Sequence, residues 1–235
     1  MRIKIALCLL AIFCTANAIS LKSLQRQIET AKLDVENTIR ELELFRNNIW
    51  QDVNLTVTKI WLEPKKEYDN YATSILNTIH KEVEDAKASG KNAQPCYNVA
   101  FYTFRITDYE LRAEARLCLD TSTCSMKRNL KFIDNYITTG RELIKELDEI
   151  LPGCYEKDSR LTDILKLHNC KSQLKMSKSS VKKLKTDANS AKATFKNEKN
   201  IVVDKYTTCL HNAFSTAHSK VENARLAATW CLNKL

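Results

Sequence analysis

Cysteine, lysine and histidine are the residues of this chain with chemistry to offer. Of nine cysteines, Cys8 and Cys14 lie in an apolar leader, and seven follow: Cys96, Cys118, Cys124, Cys154, Cys170, Cys209 and Cys231. Disulfide formation is the chemistry that suits them, as three bridges and one odd thiol that stays free or joins two chains. Metal ligation fits poorly. There is no CxxC, and the spacings of two and seven from Cys209 to His211 and from His211 to His218 match no common zinc pattern. The sequence therefore implies no metal and no other cofactor.

Ten lysines lie between Lys166 and Lys199 against Asp187 and Glu198, which concentrates the positive charge. Lys171, Lys175, Lys178, Lys182 and Lys185 step by three and four, so they stripe one helix face. Such a stripe suits an anionic glycan or a microbial or lipid surface, and equally a plain solvated face. Nucleic acid is not expected, because arginine and interleaved aromatics are missing from the stretch. Enzymatic chemistry is not expected either. His80, His168, His211 and His218 stand beside no nucleophile motif, and there is neither a glycine-rich phosphate loop nor an HExxH helix. Glu110 with Glu114, and Glu142 with Glu146, are spaced by four as on an exposed helix face.

The elements that position these residues begin with an export signal. Arg2 and Lys4 precede the apolar run Ile5 to Phe13, and Ala16 and Ala18 suit a small-residue cleavage site, so 1–18 reads as a signal peptide. The run is shorter than the roughly 20 residues that span a bilayer. Its loss leaves a secreted, extracellular chain and lowers the net charge from +9 by the two charges of Arg2 and Lys4. Asn54, Leu55 and Thr56 form a glycosylation sequon, which makes Asn54 a solvent-facing acceptor in an exported glycoprotein.

Three glycines and three prolines in 235 residues disfavour a β-fold with many tight turns. The fold class is all-α: a disulfide-stapled antiparallel helical bundle preceded by a long amphipathic helical hairpin. Leu21, Ile28, Val35, Leu42 and Ile49 recur every seven residues, with Leu24, Ala31 and Phe45 between them. Pro64 ends this helix or opens the next, which runs to the Ser89 to Asn92 break. The division is thus a hairpin over 19–95 and a cysteine-containing bundle over 96–235.

Within the bundle, one helix covers about Tyr97 to Leu119 and a polar turn Thr121 to Thr123. A second runs from about Ser125 to Ile150, closed by Pro152 and Gly153. A third starts near Asp158 or Ser159. Extended to Leu232 it would be about 110 Å long, so a turn is expected between 187 and 200. In that up-down arrangement Cys118 pairs with Cys124, Cys170 with Cys209, and two of Cys96, Cys154 and Cys231 with each other, one of many possible arrangements.

The leader and the lysine-rich, cysteine-spaced helical region from about Cys96 to Val221 resemble the TsetseEP-domain family of secreted insect proteins, without the Glu-Pro repeat tail of its namesake. The resemblance implies an extracellular protein associated in some members with gut or immune responses, and it supplies no catalytic residues. The leading expectation is a secreted, non-enzymatic binding protein. Two others stand beside it: an extracellular carrier of a small apolar ligand, and a self-assembling structural protein, a homodimer through the Leu21 to Ile49 seam.

Overall fold

The computed structural model describes the backbone of residues 2–156 and 163–235 and the side chains of 21–153 and 165–235. The side chains of residues 1–20, where a signal peptide is expected, of Cys154 and of the expected start of the third helix near Asp158 and Ser159 lie outside the described residues. Three helices make up the rest: α1 (Arg2–Ala88), α2 (Gln94–Glu156) and α3 (Asp163–Asn233). The fold is all-α and stapled by disulfides, Cys96–Cys231 and Cys118–Cys209 among them.

Between α1 and α2 the chain reverses because Gly90 supplies a left-handed residue, φ 80°. Its N–H donates to the Lys87 carbonyl at 2.8 Å and that of Lys91 to Ala86 at 3.1 Å, the paired bonds that close a helix C-terminus. Pro95 follows in the first turn of α2, where a missing N–H leaves nothing unpaired.

The helices are longer than the sequence punctuation predicts. Pro64 lies inside α1, and no turn interrupts α2 at Thr121 to Thr123 or α3 between 187 and 200. Thr, Ser, Asp and Asn there are weak helix formers, not breakers, and the buried seam runs through them. Cys118, Ser122 and Met126 are buried in succession on α2, and Leu184, Ala188, Ala191 and Phe195 on α3. Likewise Pro152 sits within the last turns of α2, which reaches Glu156.

Two compact units form, and each draws on all three helices. Unit 1 contains residues 1–48 and 130–196, and unit 2 contains 49–129 and 197–235. A division at Pro95 separates α1 from α2 and α3, whereas compactness divides every helix. No one unit has to accommodate the whole of α3, which removes the length argument for a turn.

In unit 1, Leu24, Ile28, Val35 and Leu42 of α1, Ile133, Ile137 and Leu147 of α2, and Leu174, Leu184 and Phe195 of α3 are all buried. Each such side chain contributes about 1.5–3 kcal/mol on burial. Gly140 of α2 lies close against both neighbours: a Cβ there would stand 2.8 Å from Ile39 Cγ1 and 3.4 Å from Leu184 Cδ2. Lys32 with Asp148, Arg46 with Asp134 and Arg141 with Glu43 set α1 and α2 antiparallel. The Leu21 to Ile49 row is core apart from its first residue, so it offers no face to a second copy.

In unit 2, Tyr68 of α1 is wrapped by Phe214 and His218 of α3, with ring centroids 6.2 and 5.4 Å away. The two located disulfides both join α2 to α3 here. Lys65 is buried, yet its ammonium is paired with Asp69 and lies 3.1 Å from Asp108 Oδ1, which keeps the charge compensated.

Candidate anion-binding face

The face begins with the amphipathic split of α3 in unit 1. Cys170, Leu174, Val181, Leu184, Ala188 and Ala191 are buried at helical spacing, and the lysines occupy the flank beside them. Lys171, Lys175, Lys178, Lys182 and Lys185 are all exposed, and Lys183 and Lys196 add to them. The sequence stripe is therefore one continuous helix flank.

That flank borders α1. Lys178 Nζ donates to Gln27 Oε1 at 2.7 Å, and Lys192 Nζ to Glu41 Oε2 at 2.7 Å, both across 151 residues of sequence. The constant separation makes α1 and α3 parallel in unit 1. Hydrogen bonding and charge attraction from Lys192 hold the Glu41 carboxyl below its ordinary pKa against the opposing effect of burial, and Lys185 adds a smaller pull. Some of the stripe thus fixes helix register, as charged flanks of a coiled-coil seam do. Lys171, Lys175, Lys182 and Lys185 are exposed and form no ion pair among the described residues.

The disulfide expectations divide. Two cysteines of the far-pole trio, Cys96 and Cys231, are bonded, with Cα atoms 5.7 Å apart. Cys118 pairs with Cys209, not with Cys124. On a continuous helix Cys118 and Cys124 are six residues and roughly 120° apart, facing different ways. Cys170 is disulfide-bonded too, but not to Cys209, which shares its helix and so cannot be an antiparallel neighbour. Among the described residues Cys124 is an exposed free thiol.

Cys209 is consumed by its disulfide, His211 is exposed, and His218 lies between the rings of Tyr68 and Tyr71. Among the described residues no group of three or more His, Cys, Asp or Glu is placed to hold a metal, and no helix is long and apolar enough to cross a membrane. Glu110 of the Glu110 and Glu114 pair is bonded to Lys220 at 2.6 Å, and Glu142 and Glu146 are exposed. Asn54 is also exposed on α1.

Sequence reasoning missed two features. One is the polar cluster around Tyr68, whose hydroxyl is buried without a hydrogen-bond partner among the described residues. Burial, then the charges of Asp108 and Asp69, push its pKa up to about 12. The other is an exposed apolar row on α2 containing Val99, Tyr102, Ile106 and Tyr109. Its spacing of three and four was visible but was not distinguished from core.

Compared with protein-family models and with characterised proteins, the chain matches none.

Proposed function

We propose that this is an exported, non-enzymatic binding protein that engages anionic glycans or microbial and lipid surfaces through the lysine flank of α3. The observation that carries the reading is that Lys171, Lys175, Lys182 and Lys185 are exposed on one flank without ion pairs among the described residues. A carrier of single positive charge is a poor ligand for anything in salt, whereas several on one rigid helix add their attraction. Disulfides among the mature cysteines fit an oxidising compartment and cleavage of the leader after Ala18. The resemblance to secreted insect proteins supports a setting in gut, haemolymph or at another extracellular surface. Retention on heparin and on phosphatidylserine vesicles, at low and at physiological salt, tests it. Binding that weakens with salt and disappears in the Lys171→Glu, Lys175→Glu, Lys182→Glu variant supports the proposal, and absence of binding at low salt overturns it.

A second reading, carriage of a small apolar ligand, draws on a recess of about 360 Å³ in unit 2 lined by Val57, Trp61, Leu119 and Tyr206. Organic extraction of the purified protein followed by mass spectrometry separates the two, since a carrier yields a stoichiometric ligand.

A further inference from the structure

All three helices contribute to the recess in unit 2. Val57 and Trp61 stand one turn apart on α1, Ala115 and Leu119 one turn apart on α2, and Tyr206 of α3, 3% exposed, closes the buried end. The Phe214 ring of α3 lies against Trp61 at a centroid distance of 5.5 Å, so that wall is packed from behind. Apolar walls alone define no ligand, but the charges of the same recess do. Arg112 and Arg116 also line it, again one turn apart on α2, and no acidic side chain does. Arg112 donates its Nε–H to Asp108 Oδ2 at 2.9 Å. Arg116 is exposed and forms neither an ion pair nor a hydrogen bond among the described residues. A guanidinium presents five N–H donors in a planar fork that matches a carboxylate. Apolar walls and one uncommitted cation are together the complement of an amphipathic anion.

We propose that the recess holds one small monocarboxylate with an apolar body. The carboxylate accepts hydrogen bonds from Arg116 with Arg112 beside it, and the body lies against Val57, Trp61, Leu119 and Tyr206. The inference rests on carriage of a small ligand in this recess, and it names the class of that ligand. A neutral apolar molecule leaves Arg116 unused, and a cationic one is repelled by both guanidiniums. The volume of about 360 Å³ is at the small end for ligand pockets, which suits a single short chain.

The test uses the full chain at physiological salt with three probes that share one tail: decanoate, decanol and decyltrimethylammonium. Calorimetry gives affinity and stoichiometry. Tryptophan emission reports the place, because Trp61 lines the recess and Trp50 and Trp230 do not. The expected result is one decanoate per chain, decanol bound at least about tenfold more weakly, the cation weaker still, and an emission change that Trp61→Phe abolishes. Arg116→Gln, with helicity unchanged by circular dichroism, should lower the affinity for decanoate to that for decanol and leave decanol as it was. Three results overturn the proposal: equal affinity of wild type for decanoate and decanol, decanoate affinity unchanged in Arg116→Gln, or an emission change that persists in Trp61→Phe. The first of these leaves carriage of a small apolar ligand standing, whereas failure of all three probes to bind overturns both.

Discussion

Cys118 of α2 is bonded to Cys209 of α3, 22 residues further along α2 and 22 residues back along α3 from the Cys96–Cys231 bridge. Equal steps on both helices mean that the two bridges record one antiparallel register. At 1.5 Å per residue they lie about 33 Å apart along unit 2. A slip of the α2 and α3 pairing is therefore blocked at two heights.

Removing that lower bridge with Cys118→Ala and Cys209→Ala is expected to cost about 2–5 kcal/mol, because the unfolded chain regains the freedom of a long loop. Urea titration of the oxidised proteins measures it. Helicity at zero urea should be unchanged, since both residues remain on continuous helices.

Gly140 has no room for a side chain in unit 1. Replacement by valine drives two methyl groups into Ile39 and Leu184, and the expected loss is about 1–3 kcal/mol. The paired variant Gly140→Val, Ile39→Ala should recover part of it. A melt in which Gly140→Val equals wild type contradicts the close packing.

Tyr68 predicts an alkaline limit. Its pKa rises from 10.0 in the ordinary phenol to about 12 in the fold, so the folded state holds the proton more tightly than the unfolded chain does. The stabilisation this represents is complete below about pH 10 and is lost as the pH climbs toward 12. Tyr68→Phe also removes a buried hydroxyl with no partner among the described residues, so stability at pH 7 should hold or rise by up to about 1 kcal/mol. Unfolding of the two proteins at pH 7 and pH 11 checks both statements, the variant losing less between them.

Lys192 and Lys182 should separate register from binding. Lys192→Ala removes a surface pair with Glu41 and is expected to change stability by less than about 1 kcal/mol, with heparin retention nearly intact. Lys182→Glu should leave the melt unchanged and shift heparin elution to lower salt. Equal elution of the two variants would argue against a localised face.

The helical class, the α1 core and the break at Gly90 were legible because periodicity and a left-handed glycine are local properties. Leu24, Ile28, Val35 and Leu42 declare their burial at heptad spacing, and each is buried. Helix continuity was not legible. Thr121 to Thr123 and the Asp187 to Ser190 stretch look like turns locally, and only the packing of Ser122 and Ala188 into a core holds them helical. The pairings Cys118 with Cys124 and Cys170 with Cys209 rested on the expected turns and were misassigned with them, whereas the bond between two of the far-pole cysteines, Cys96 and Cys231, is present. On α2 the sequence presents two apolar rows, through Phe104 and through Ile106, and nothing local says which is inside. The Cys118 and Cys96 bridges to α3 turn the Phe104 row inward. The lysine stripe was visible in full, but its partial use against Gln27 and Glu41 depends on an α1 to α3 alignment 151 residues apart.

The turn at Gly90 has a consequence for how the molecule comes apart. Residues 21–88 contain no cysteine, so in a chain matured after Ala18 the backbone through Ser89 to Ala93 is the one covalent tether of α1. Lys91 in that turn is exposed. A single tryptic clip there would leave a two-chain molecule whose first piece, α1, elutes free in denaturant without reductant, while α2 and α3 leave together.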